Sequence, residues 1–297
     1  MANPLRIYSG PGEIGVYDAT NAAKFLGYSD AIELKGEPLK IDLMDDNTLQ
    51  YATLFKLSAS LLQSDQNMIA ALKARRSTKQ EITIVGLEAA ARVKNVFLAL
   101  APKRTFKAGE VHTIDLLAQT SVEADVFLME NLLGKYGNFD TDSNGDSLAD
   151  GWESNVPDTR LSVVASFLSG RGNAQEVHFA VDGEYIRLKS DRLMFQTPRQ
   201  VVFSVYMQTT SGGATGPVSM GVNFLRADGS SIESYYESKT LSASATRYSV
   251  SYSIDPSEAV YAIVAEVKRV PGTNADFYMD DAQLEFGSLT DYVENDL

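Results

Sequence analysis

The sequence predicts a mainly β protein: an N-terminal β-sandwich or barrel with one helix, followed by a C-terminal antiparallel jelly-roll β-sandwich. Three observations predict it. Beyond residue 160, short strand-forming segments recur at regular spacing. They are separated by Asp182-Gly183, Ser211-Gly212-Gly213, Asp228-Gly229 and Pro271-Gly272-Thr273-Asn274, which is turn chemistry. In the first half, only one stretch combines helical spacing with capping residues. Finally, 297 residues with 44% hydrophobic and 9% aromatic content suffice for two separate cores.

Taken in order, residues 1–35 mix Gly, Pro, Asp and Asn (Ser9-Gly10-Pro11-Gly12) with short apolar pieces such as Ile14-Gly15-Val16-Tyr17. They read as an extended arm with one short strand. Leu34 to Leu43 reads as a long loop or a projecting hairpin. From Tyr51 to Leu61 apolar residues alternate with Lys56, Ser58 and Ser60, the pattern of a half-buried strand. Ser64 then caps a helix over 65–75, with Met68, Ile69 and Leu72 as its stripe and Lys73, Arg75 and Arg76 at its C-terminal end. Strands follow at 81–85, 92–100 and 111–119, and 121–134 reads as a short helix or linker. One helix on four or five antiparallel strands leaves sheet edges that need cover. Without disulfides, neighbouring copies of the chain are the expected cover.

The two halves meet at an acidic stretch, 140–153, and differ in charge. Residues 1–133 carry 14 Lys/Arg against 16 Asp/Glu, a balance of −2; residues 134–297 carry 12 against 23, a balance of −11. Such an acidic domain does not suit phosphate backbones; it suits calcium and neutral ligands such as sugars. Counting from Asp142, oxygen donors fall at positions 1 (Asp142), 3 (Asn144), 5 (Asp146), 9 (Asp150) and 12 (Glu153), with the Leu148 carbonyl at 7. That is the spacing of a twelve-residue calcium loop. Ser147 stands where such loops carry Gly. An acidic, solvated linker has the same composition, but the odd-position spacing and closing Glu favour the cation. After the loop come strands at 161–168, 176–181, 184–188, 200–208, 218–225, 232–237, 247–254, 261–267 and 275–286.

Sugar binding needs aromatic surfaces beside hydrogen-bonding side chains; the candidates are Tyr185, Tyr206, Tyr235, Tyr236 and Tyr248. Neighbouring Tyr235 and Tyr236 must point to opposite faces of their strand. Trp152 reads as a core anchor rather than a platform. His112 and His178 fall in different domains within alternating patterns and read as structural. No nucleophile elbow, Walker loop, paired metal histidines or triad occurs, so the chain is not expected to be an enzyme. Zero cysteines exclude thiolate chemistry. No run of eighteen apolar residues is present and Met1-Ala2-Asn3-Pro4 carries no secretion pattern, so neither a membrane span nor a signal peptide is expected.

In the first half, 26–36 (Leu26-Gly27-Tyr28-Ser29-Asp30-Ala31-Ile32-Glu33-Leu34-Lys35-Gly36), Leu61-Leu62-Gln63-Ser64-Asp65, Val93-Lys94-Asn95-Val96-Phe97-Leu98 and Lys107-Ala108-Gly109-Glu110-Val111-His112-Thr113-Ile114 together resemble the tail-tube proteins of tailed bacteriophages. The resemblance covers about residues 10–120 and implies hexameric rings stacked into a tube around a DNA conduit, among other virion tail proteins. It equally allows a capsid-decoration or baseplate station. In the second half, Asn138-Phe139-Asp140 through Asp150-Gly151-Trp152-Glu153 and the closing Phe277-Tyr278-Met279-Asp280-Asp281-Ala282-Gln283-Leu284-Glu285-Phe286-Gly287-Ser288 resemble carbohydrate-binding, galactose-binding-like modules appended to phage structural proteins and polysaccharide-degrading enzymes. This implies a structural calcium where first and last strands meet, with Asp281 as a second-site ligand, and a host-surface or environmental polysaccharide as partner. The combined expectation is a virion protein made in the host cytoplasm, DNA passing through it without specific contact. A glycan-binding adhesion module on an oligomerising domain is the rival of another class.

Overall fold

Alternating apolar residues set the strands of the first half, and their pairing closes them into a ring. The computed structural model describes residues 5–17, 23–42, 49–61, 63–64, 80–86, 90–102, 114–120, 126–129, 131–190 and 193–292. The chain divides into two units, Met1–Met129 with Leu193–Phe195, and Glu130–Arg192 with Gln196–Leu297.

The first unit contains β1 (Leu5–Tyr17), β2 (Ala23–Asp42), β3 (Leu49–Leu61), β4 (Gln63–Ser64), β5 (Gln80–Gly86), β6 (Ala90–Pro102), β7 (Ile114–Thr120) and β8 (Val126–Met129). All pairs are antiparallel. The order β1-β5-β6-β7-β3-β2 returns to β1, because β1 also pairs β2; β4 adds to β2 and β8 to β6. Ile14, Val16, Leu26, Ile32, Leu34, Leu57, Leu61, Ile82, Ile84 and Val93 are buried in its core. This corrects one expectation. The arm is not an arm: its residues build β1 and β2, where a Gly-rich stretch tolerates three register shifts. The six ring strands cover one another's edges where they pair around the ring, whereas the outer parts of β2 and β3 pair only with each other among the described strands. The segment read as a loop or hairpin is a hairpin: β2 and β3 stay paired from Ile32↔Ala59 out to Asp42↔Leu49, past the last β1 partner at Gly36 and the last β7 partner at Lys56. Within 121–134, β8 is strand rather than helix. The helix expected over 65–75 and His112 lie outside the described residues.

The second unit holds β9 (Glu153–Ser154), β10 (Leu161–Ala165), β11 (Asn173–Phe179), β12 (Tyr185–Lys189), β13 (Arg199–Thr209), β14 (Val218–Leu225), β15 (Ser231–Lys239), β16 (Thr246–Ile254), β17 (Ala262–Arg269) and β18 (Ala275–Phe286). They form two five-stranded antiparallel sheets, a back sheet β10-β11-β18-β13-β16 and a front sheet β15-β14-β17-β12-β9. From β11 onward the chain repeatedly switches sheets, giving a jelly-roll sandwich. Residues at alternate positions fill its middle: Val201, Phe203, Val205 and Met207 from β13, Met220, Val222 and Phe224 from β14, and Ile263, Ala265 and Val267 from β17. Phe179 meets Phe277 edge to face at 5.4 Å. Tyr235 of the front sheet stacks on Tyr252 of the back sheet at 4.5 Å and closes one side.

Candidate functional site

The outer face of the front sheet is built by the residues that alternate with its core positions. In register across the sheet lie Tyr236, Gly221, Glu266, Arg187 and Glu153. Gly221 explains the placement of Tyr236: a methyl group there would overlap the Tyr235 carbonyl and the Tyr236 ring. Only glycine lets that ring lie down across the sheet. Lys268 Nζ sits 3.9 Å from the ring centroid and 2.8 Å from Glu266 Oε2. The Tyr236 hydroxyl donates to Glu266, and burial plus this hydrogen bond push the phenol well above its usual range. Tyr185 lies farther along, under the Arg187 guanidinium at 4.6 Å. Beside this aromatic strip is a cleft of about 350 Å³, near the lower end of the roughly 300–1,000 Å³ typical of ligand sites. Val264 and Leu225 form its apolar part, and Asn223, Ser231, Glu153, Arg187 and Lys189 its polar part.

The outer face of the back sheet is covered instead. Asn131 ties the opening of the unit to β18: its amide donates to the Ala282 carbonyl (3.0 Å), while its Oδ1 accepts from the Leu133 and Leu284 amides (both 3.1 Å). Gly137 packs so close to the Ala282 carbonyl that a Cβ would overlap it. Farther along, the Thr290 hydroxyl donates to Glu285 Oε2 and accepts from Gln283 Nε2, and Arg247 donates to the Thr290 carbonyl. Ser204, Asp280, Gln283 and Glu285 are buried under this cover. Asp281, with φ of 48°, is the bulge residue that shifts β18 against β13 between Ser204 and Tyr206. Its Oδ2 pairs with Arg171 Nε at 2.9 Å. Burial pushes the Asp280 carboxyl up to about 7, against the pull of the Ser166 hydroxyl and the Asp281 amide that donate to it.

The acidic loop is a knot of side chain to main chain bonds. Asp142 Oδ1 accepts the amides of Gly145 and Asp146, and its Oδ2 that of Ser147. Asn144 and Asp146 bond each other, Asp146 accepts the Leu148 amide, and Asp150 accepts the Ser143 amide and hydroxyl. The Ser143 amide holds the Asp150 carboxyl below its usual range. Ser147 takes φ of 70° at the position where such loops carry Gly. Glu153 does not turn back to the loop: it starts β9, its side chain 65% exposed and ion-paired with Arg187 at 3.0 Å. The donor chemistry of Asp142, Asn144, Asp146 and Asp150 suits a hard cation, but the closing carboxylate is engaged elsewhere. Among the described residues no three acidic or histidine side chains converge as a ready-made metal cluster.

Of the candidate tyrosines, Tyr185 and Tyr236 share the open front face. Tyr206 is on the outer side of the back sheet, 5.8 Å from the Arg247 guanidinium. Tyr235 turns inward, and Tyr248, on the same side of β16 as buried Val250, receives the Ser242 amide. Trp152 stacks on Phe139 at 4.5 Å and donates to the Tyr136 carbonyl, a core anchor. His178 lies between Glu176 and Asp276. Sequence reasoning missed Asn131, Gly221 and the cleft cations Arg187 and Lys189. The Tyr236–Gly221 pairing was the signal available, but it depends on the register of β14 and β15.

No protein-family profile matches the chain, and no curated protein matches it. Solved structures do. The CBM22-1 xylan-binding domain of Paenibacillus barcinonensis Xyn10C matches at 12% identity and a TM-score of 0.37, over 52% of this chain and 94% of that one. A family 16 carbohydrate-binding module matches at 19% identity and 0.33, over 50% and 99%. The enzymatically active domain of bacteriophage CBA120 tailspike protein 4 matches at 13% and 0.35, over 53% of this chain and 21% of that one.

Proposed function

We propose that the second unit is a non-catalytic glycan-binding module and that the whole chain is a phage virion protein. One observation carries the first part: among the described residues, the front face presents Tyr236 over Gly221 with Lys268 against its ring, Tyr185 beside Arg187, and a cleft of hydrogen-bonding side chains between strands. Flat rings accept the apolar faces of sugars, and amide, hydroxyl and charged groups accept their hydroxyls. Mechanism here means adhesion. Rigid strands hold the rings in place before the ligand arrives, which limits the ordering cost of binding. The test is a glycan array probed with the full chain and with Tyr236→Ala. Binding that the substitution removes supports the module; no binding to any glycan overturns it.

The first unit is read as the assembling part, a tail-tube protomer in stacked rings. The projecting β2–β3 ribbon favours this over a monomer, because beyond Gly36 and Lys56 no further described strand pairs with it. Such a ribbon can add to a neighbour's sheet. A capsid-decoration or baseplate station uses the same ribbon. Electron microscopy of the full-length protein separates them: six-fold rings or tubes support the tube, and other symmetry moves the protein to another station.

A further inference from the structure

The cleft differs in charge from the unit that carries it. The sequence from 134 onward has a balance of −11, which by itself disfavours anionic ligands. Yet, among the described residues, the charged ones lining the cleft are Arg187 and Lys189 against Glu153. Lys189 is exposed, and among the described residues it forms no ion pair. Arg187 directs Nε (3.1 Å) and Nη2 (3.0 Å) at one oxygen, Glu153 Oε2. The neighbouring Lys268 is already neutralised by Glu266 at 2.8 Å, so the surplus positive charge is confined to the cleft.

The Arg187–Glu153 pair also indicates which anion fits. A carboxylate already sits against the guanidinium fork, and it does so from a two-residue strand, largely in solvent. Exposed pairs of this kind hold weakly, so a ligand carboxylate can take the same position at little cost while Lys189 supplies a second charge-assisted bond. Asn223 and Ser231, linked by a 2.6 Å hydrogen bond, line the cleft with groups suited to sugar hydroxyls. We infer that this cleft selects an acidic saccharide, with the carboxylate of a uronic acid unit held between Arg187 and Lys189. The inference rests on the glycan-binding reading of the front face.

The test uses the full chain on an array of uronate-containing, sulfated and neutral glycans, followed by solution titration with an oligogalacturonate and its methyl ester. The expected result is binding to uronate glycans, about tenfold weaker for the ester, the loss of one charge-assisted contact. Lys189→Gln should weaken the acid by a similar factor without changing the ester's affinity or the Tm. Equal affinity for acid and ester, unchanged by Lys189→Gln, overturns the acidic selectivity and leaves the module reading intact. Preference for sulfated glycans overturns the assignment to a carboxylate. Failure to bind any glycan overturns both.

Discussion

The two outer faces of the sandwich have the same strand count and opposite fates. The back face is roofed by its own chain: Asn131, Gly137 and Thr290 lie over β18 and β13, and the polar residues beneath are buried and hydrogen-bonded within the unit. Among the described residues of the unit, no such roof lies over Tyr185, Tyr236 and the cleft. A buried polar network is costly unless satisfied and specifies one arrangement when it is; an open, partly paired one is free to exchange partners. On the proposed reading, the back contributes stability and the front recognition. Substitutions should therefore separate: back-face changes lower the Tm, and front-face changes lower affinity.

The largest effect is expected where the two sheets are joined. Glu184, 4% exposed, follows the turn between β11 of the back sheet and β12 of the front. It accepts the Ala180 and Val181 amides and forms a two-pronged pair with Arg160. Burial alone would raise its carboxyl, but Arg160 and the two amides outweigh it and hold it below the usual range. Arg160→Ala leaves a buried charge without its partner and should cost about 3–5 kcal/mol, read as a lower denaturation midpoint. The pH dependence has a definite sign. Because the folded value is depressed, the contribution of Glu184 is complete above its unfolded value near 4.5 and lost as pH falls through the folded one. Denaturation followed from pH 7 to pH 3 should show this acid loss in the wild type and less of it in Glu184→Gln. Equal slopes would remove Glu184 from the account.

Next in size are one substitution on each face. Asn131→Ala strands the Leu284 and Leu133 amides and the Ala282 carbonyl, three main-chain groups in a buried site. It should cost about 3 kcal/mol, with glycan affinity unchanged at temperatures where the protein remains folded. Gly221→Ala forces Tyr236 off the front sheet. It should cost about 1–3 kcal/mol and abolish binding; because the same methyl also meets the Tyr235 carbonyl, it is read beside Tyr236→Ala, which leaves the β14–β15 pairing untouched. If Gly221→Ala binds normally, the flat ring is not a platform.

How much of this was legible in the sequence follows the range of the interaction. Every strand of the second unit beyond residue 160 follows from alternation and turn residues, both local, whereas two-residue β9 carries too short a pattern to read. The first unit was harder because closure is a long-range fact: β1 meets β5 across some seventy residues, from Gly12↔Gly86 to Val16↔Ile82. Its glycines mimic an unstructured arm while permitting the bulges that curve β1 and β2. That Tyr235 and Tyr236 face opposite ways was readable from alternation alone. Which of them faces outward needed the partner sheet, where Tyr252 takes up Tyr235. Asn131 was invisible for the same reason, since its partners lie some 150 residues away.

The smallest expected effect concerns the acidic loop, which belongs to neither face. Its carboxylates already have donors: Asp142 takes three amides and Asp150 an amide and a hydroxyl. These bonds brace the loop around Asp142 and Asp150, and we expect calcium to add to that shape rather than create it. With Glu153 engaged by Arg187, Asp142, Asn144, Asp146, Asp150 and the Leu148 carbonyl are the donors left to it. A ligand that binds only the folded state stabilises by RT ln(1 + [L]/Kd), roughly 1.4 kcal/mol at ten times Kd. Calcium should accordingly raise the Tm by a few degrees, and Asp146→Ala with Asp150→Ala should remove that gain. Arg187→Ala gives the informative contrast. If Glu153 can join the loop once released, this variant binds calcium more tightly than the wild type, and the front-face cleft and the loop compete for one carboxylate. If its calcium response equals the wild type's, Glu153 belongs to the front face alone.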